Sequence, residues 1–227
     1  MLMIVLAIAA TACGSSSGSK AAPPTTTSTK PSLDQRVIAA GLIRPSDLPG
    51  YSHKPRTTSA SPEIDQVVRS FPGCEHFASA YHPGAHKRRS PRFERSGALL
   101  GSSVDVYPST AAIAAQLDLY RNPTSLPCLR EAARTVVTHN LGTTGTVKSL
   151  EISPISVNIL GDGEIAYRFT ATVARRGETT TGLLDFVGVA VGRFALSFNA
   201  EGTTARLAEL ETALLPKLVD RMKQAGA

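Results

Sequence analysis

The chain has 227 residues, with 24 Lys and Arg against 18 Asp and Glu, a formal charge of +6 at neutral pH. Trp is absent and aromatic residues make up only 5% of the chain, so a core must be built from Ala, Val, Leu and Ile. That leaves little material for aromatic cages or sugar-stacking platforms.

The first twelve residues, MLMIVLAIAATA, are apolar but too few to span a bilayer, and match the hydrophobic region of a secretory leader. Ala10, Thr11 and Ala12 then precede Cys13 and Gly14, a pattern that resembles the lipobox of bacterial lipoproteins. It departs from the usual form in two respects: no Lys or Arg precedes the apolar run, and Ala stands at position 10 where Leu is commoner. The resemblance implies a signal peptide over residues 1–12, removal of it, and lipidation of Cys13 as the first residue of the mature chain. One acyl chain holds a protein only marginally, whereas two or three hold it stably, so the product is expected to stay at the membrane. The alternative is an ordinary cleaved leader followed by a free cysteine.

Residues 13–32 continue as CGSSSGSKAAPPTTTSTKPS, without apolar periodicity, and read as a disordered tether. Such a segment spans roughly 25 Å on root-mean-square average, enough to hold a domain clear of lipid headgroups. From Leu33 to Ala227 the chain is long enough for one substantial core, and no second linker interrupts it, so a single domain over 33–227 is expected. With Cys13 acylated, Cys74 and Cys128 remain as a disulfide pair in an oxidising compartment. Bridging them closes a loop of about 55 residues, worth roughly 4 kcal/mol in the chain-entropy model. The competing reading, a metal-binding or catalytic pair, finds no zinc-type spacing around either cysteine.

SLDQRVIAAG predicts a short helix from a Ser32 cap to a closing Gly41, and LIRPSDLPGY a turn that packs Leu42, Ile43 and Leu48 inward. A second helix is expected from about Pro62, with Ile64, Val67, Val68 and Phe71 on one face, broken by Pro72-Gly73. A further turn carries Phe77 and Tyr81. YHPGAHKRRSPR, residues 81–92, reads as an exposed basic loop. In SSVDVYP, Ser103, Asp105 and Tyr107 alternate with Val104 and Val106, which predicts a half-buried strand. Helices follow from Thr110 to Tyr120 and from near Cys128 to Asn140. The last ninety residues hold four strand-like runs separated by Gly-Asp-Gly, Arg-Gly-Glu and Val-Gly-Arg, and then an amphipathic helix from about Thr203 to Lys223. The order of elements predicts an α+β fold with a mainly antiparallel sheet packed by helices.

The succession of LIRPSDLPGY, a Cys after the second helix, SSVDVYPSTAAIAAQLDLY, PCL heading a helix, LGDGEIAYRFTATV and FALSFNA resembles the secreted actinobacterial lipoproteins of the Lpq type and the extracellular sensor domains of PknH-like kinases. The likeness spans most of residues 40–225 and rests on order, with no catalytic signature. It implies a curved antiparallel sheet of the Mog1/PsbP kind with a ligand cleft between helices and sheet. Where the kinase sensor domains carry two disulfides, this chain has cysteines for one.

No Gly-X-Ser-X-Gly elbow, P-loop or His-Glu-X-X-His occurs, and no catalytic residue, metal or cofactor is expected. His76, His82 and His86, next to Glu75, are spaced closely enough to hold a metal, but Pro83-Gly84 breaks the helix that would align them, and a solvated loop is the simpler reading. LGDGE, residues 160–164, lacks the ligand spacing of a calcium loop and reads as a turn entering a strand. Lys87, Arg88, Arg89, Arg92 and Arg95 fall within one segment. Lys87, Arg88, Arg89 and Arg92 are candidates for contact with anionic lipid or an acidic ligand, against the plainer reading of a solvated basic loop. Together these features lead to an expectation of a lipid-anchored protein on the extracytoplasmic face of the cell membrane. Its domain would be non-enzymatic and sensor-like, binding a small ligand, a lipid or an envelope protein, but not nucleic acid. The alternatives are a cell-envelope hydrolase with a cryptic active site and a purely structural envelope protein.

Overall fold

The structure, a computed structural model, describes residues 31–55, 67–68, 71–82, 84–159 and 161–227. The expected leader, Cys13, nearly all of the tether and the start of the helix expected at Pro62 lie outside the described residues.

Helix α1 (Leu33–Gly41) begins at a reciprocal cap: Ser32 Oγ accepts the Gln35 N–H at 3.2 Å and Gln35 Oε1 accepts the Ser32 N–H at 3.0 Å. A 3-10 turn at Pro45–Asp47 follows, with Ile43 and Leu48 buried as expected. Helices α2 (Glu75–Ala80), α3 (Thr110–Arg121) and α4 (Leu126–Leu141) come before the last four strands, and α5 (Thr204–Gly226) closes the chain. The strands are β1 (Ser52–Lys54), β2 (Arg88–Arg89), β3 (Arg92–Arg95), β4 (Ala98–Val106), β5 (Gly145–Pro154), β6 (Gly163–Arg175), β7 (Glu178–Val191) and β8 (Phe194–Gly202). They form one sheet in the order β1-β3-β4-β8-β7-β6-β5, with β2 beside the upper part of β4, and every pairing is antiparallel. The chain is an α+β protein, an antiparallel sheet packed by helices.

Period-two alternation sorts each strand between two helical layers. On one face Phe194, Leu196, Phe198 and Ala200 of β8 meet Val187, Val189 and Val191 of β7 and Val104 and Val106 of β4, and α1 and α5 cover them all. On the other face Ile165, Tyr167 and Ala190 receive Ile113 and Leu117 of α3, while Leu150, Ala171 and Val173 receive Ala133, Val137 and Leu141 of α4. A smaller cluster outside this second layer joins Val67, Val68 and Phe77 to Leu129 and Ala132, and the Cys74–Cys128 disulfide lies within it with Cα atoms 5.7 Å apart. The β6–β7 and β3–β4 hairpins turn on Arg176-Gly177 and Ser96-Gly97, four residues with positive φ between 48° and 85°. Two such residues in succession match the right-handed twist of the flanking strands.

Three expectations need correction. Among the described residues four strands, not one, precede the last four. Residues 81–92 are not a free loop: Ala85 donates to the Val106 carbonyl at 2.8 Å, Ser90 donates to the Ser102 carbonyl at 2.8 Å, and Arg88 and Arg89 pair with Val104 and Ser103. As a result β4 is buried along its whole length rather than on one face, with Ser103 and Asp105 each 6% exposed. The polar residues of SSVDVYP alternate as expected, but the basic segment lies along the strand's edge and covers them.

Candidate ligand-binding face

Helices α3 and α4 cover only part of their face of the sheet. They pack on β5, β6, the near part of β7 and the Ala195 end of β8, so the β8 residues farther along that side, Ser197, Asn199 and Glu201, stay partly exposed while the opposite side of the same strand is sealed. At one end of this open area a groove of about 180 Å³ runs between α4 and the β3–β4 hairpin. Leu99, Leu184, Phe169, Ala171 and Leu150 form its apolar floor, and Glu201, Thr203 and Arg206 supply polar groups at its margin. The volume corresponds to about six waters, enough for part of a small ligand or a short apolar chain.

The register of β2, β3 and β4 decides which of the expected basic residues reach this face. Arg89 pairs with Ser103, and the alternation puts Lys87 beside Asp105 and Arg92 on the same side as Glu94, the partner of Leu99. Lys87, Arg89 and Arg92 therefore share the open face, and Arg88, opposite Val104, takes the other side. Lys87 Nζ lies 3.3 Å from Asp105 Oδ2. Burial pushes the Asp105 carboxyl above the usual carboxylate range, and the charges of Lys87 and Arg89 only partly offset it. Lys87 is thus a structural partner of a buried carboxylate as well as a surface cation.

At the groove's margin Tyr51 is flanked by two guanidiniums, Arg95 at 5.8 Å and Arg206 at 5.6 Å from its ring centroid. Arg206 also donates to the Tyr51 hydroxyl and, at 2.5 Å, to Glu209 Oε2. These contacts fix the first turn of α5, which Thr203 caps by accepting the Arg206 N–H.

A second cavity, of about 530 Å³, opens at the far end of β4 among Tyr107, Gln116, His82, His86 and the Asp34–Arg193 ion pair. His82 donates its N–H to Gln116 Oε1 at 3.0 Å. All five histidines, His53, His76, His82, His86 and His139, are exposed. Among the described residues no three His, Cys, Asp or Glu side chains are grouped to hold a metal, and no helix is long and apolar enough to cross a membrane. In the Gly-Asp-Gly turn, Asp162 Oδ2 accepts the Gly192 N–H at 2.6 Å and so enters β6 as a turn residue.

One cluster has no forerunner among the expected site residues. Arg168 on β6 forms a two-pronged pair with Asp185 on β7, at 2.7 and 2.5 Å, and Asp185 is fully buried. Glu211 of α5 lies against them: its carboxyl meets that of Asp185, and its buried Oε1 has no donor in reach. The signal was a carboxylate inside the otherwise apolar run GLLDFVGVAV.

No protein-family profile matches the chain, and no curated protein does. Among solved structures it is similar to the extracellular domain of PknH from Mycobacterium tuberculosis, at 13% identity and a TM-score of 0.46 over 82% of this chain and 95% of that one. It is also similar to LpqN, described as involved in cell envelope biogenesis of the same organism, at 14% identity and a TM-score of 0.25 over 56% of this chain and 61% of that one. These are the two kinds of protein that the order of sequence features resembles.

Proposed function

We propose that this is a membrane-anchored cell-envelope lipoprotein, held at the extracytoplasmic face through Cys13, whose domain over residues 33–227 is a non-enzymatic binding module. Its ligand is an anionic amphiphile: the apolar part lies in the groove over Leu99, Leu184 and Phe169, and the acidic group is drawn to Arg89 and Arg92. The observation that carries this reading is the half-covered sheet face, which has an apolar groove and the side chains of Arg89 and Arg92 on the same side. The disulfide supports an oxidising compartment, and the leader ending in Ala12-Cys13 supports the anchor. The exposure of every histidine supports a binding role, since a general base is held by fixed partners in a shielded site.

The test is equilibrium dialysis of the oxidised full chain carrying Cys13→Ser against radiolabelled dodecanoate. Saturable binding is expected, and Gly182→Phe, which fills the groove from β7, abolishes it. Absence of saturable binding, or equal binding by Gly182→Phe, overturns the reading.

A further inference from the structure

Two carboxyl groups, those of Asp185 on β7 and Glu211 on α5, meet under α5 beside a single guanidinium, that of Arg168. Arg168 directs Nε and one Nη to Asp185, and the buried Oε1 of half-buried Glu211 has no hydrogen-bond partner. The neighbours of Glu211 on the packed side are mostly apolar. One turn away on its own helix stand Leu207, Ala208, Leu214 and Leu215. β8 presents Leu196, Phe198 and Ala200 to α5, and on α1 the Asp34 carboxylate is taken by Arg193 while Arg36 is exposed. The charged groups that act on Glu211 are Asp185 and Arg168. Two touching carboxyl oxygens, one of them without a donor, hold together only if a proton sits between them.

We propose that Glu211 is a proton-dependent latch: protonated, it donates to Asp185 and helps hold the first half of α5 on β6 and β7, and on losing the proton it weakens that hold, so that local opening of the half-helix becomes more frequent. The same half-helix carries Thr203 and Arg206 of the groove margin, so ligand binding in the groove is proton-linked; this last step rests on the groove being the binding site. Burial first, and then the contact with Asp185, push the Glu211 carboxyl up to about 7, against the partial offset of Arg168. The sign follows from proton linkage: an acid that holds its proton longer in the latched state favours that state at low pH and ceases to favour it as pH rises through about 7.

The experiment is amide hydrogen exchange, corrected for the intrinsic pH dependence of exchange, on the oxidised full chain with Cys13→Ser at pH 6 and pH 8. Protection of residues 207–214 is expected to fall about tenfold from pH 6 to pH 8 in the wild-type domain, and to stay constant in Glu211→Gln, which keeps a neutral donor toward Asp185. Equal protection at both pH values, or the same fall in Glu211→Gln, overturns the latch. Because this measurement uses no ligand, it decides the latch even if dodecanoate does not bind. Where dodecanoate binds, its affinity should weaken from pH 6 to pH 8 in the wild type and not in Glu211→Gln. Unchanged affinity in the wild type overturns the coupling.

Discussion

Arg221 Nη1 reaches both carboxylate oxygens of Asp47, at 3.1 and 3.0 Å, across 174 residues of chain. Lys217 adds a contact at 2.8 Å, and Arg221 Nη2 donates to the Leu42 carbonyl at 2.9 Å. The last helix is thereby bound to the turn that leaves the first. Burial would raise the Asp47 carboxyl, but Lys217, the Arg44 N–H and Arg221 outweigh it and hold the group below its ordinary value. A depressed carboxylate contributes stability above its unfolded pKa, near 4, and loses it as pH falls through the lower folded value. Asp47→Asn should cost about 2 kcal/mol at pH 7 and should show a shallower loss of stability below pH 4 than the wild type, measured by urea unfolding at a series of pH values.

Gly41 ends α1 for a reason other than the one its position suggests. Its backbone is not left-handed; a Cβ built there would lie 2.6 Å from both Met222 Sδ and Val104 Cγ2. Alanine normally gains up to about 1 kcal/mol over glycine inside a helix, but overpacking costs about 1–3 kcal/mol. Gly41→Ala should therefore lower the thermal midpoint, and Gly41→Ala with Met222→Ala should lose less than the sum of the two single changes. A stabilised single variant would refute the contact.

The disulfide between Cys74 and Cys128 should leave no titratable thiol on those two residues in the oxidised protein. Cys128→Ala is expected to cost about 4 kcal/mol, seen as a lower urea midpoint together with a steeper slope, because the unfolded chain without the crosslink is more expanded.

For the basic face, the paired substitution Arg89→Ser with Arg92→Ser should weaken binding to anionic vesicles at low salt by about 1 kcal/mol for each side chain that reaches the surface. Arg88→Ser, on the opposite side of the strand, should leave that binding unchanged. Lys87→Ser is a different experiment: it removes the partner of buried Asp105 and should reduce stability in addition. Co-sedimentation with anionic and neutral vesicles, together with thermal melts, separates the two effects.

Acylation at Cys13 has its own test. Labelled palmitate should be incorporated into the full-length precursor in a host that processes lipoproteins, and Cys13→Ser should abolish the label and release the chain or leave it unprocessed.

The last four strands and α5 were legible because their signals are local. Turn dipeptides, a two-residue alternation and a Leu face repeating every three to four residues each specify structure without distant partners. The basic segment differs from the expected loop because its strand character depends on pairing with β4, which follows it in the chain. HKRRSPRFER has two charged runs and a proline, and nothing in its own pattern announces an edge. The groove was not legible either. Leu99, Leu184 and Phe169 are unremarkable core residues in sequence, and what makes them a floor is the point at which α3 and α4 stop covering the sheet. Asp185 was the one locally visible clue that passed unread.

The sheet stops at β5, and a terminal strand is a place where a second copy could add its own. Here the ladder is interrupted by a register shift at Lys148, an exposed Glu151 follows, and Pro154 at the end has no N–H to offer. Under the proposed anchoring, where neighbours would meet far more often than in solution, an interrupted border of this kind works against adjacent molecules pairing edge to edge. If it is anchored as proposed, the protein would then be able to stand dense on the surface and still present its open sheet face singly.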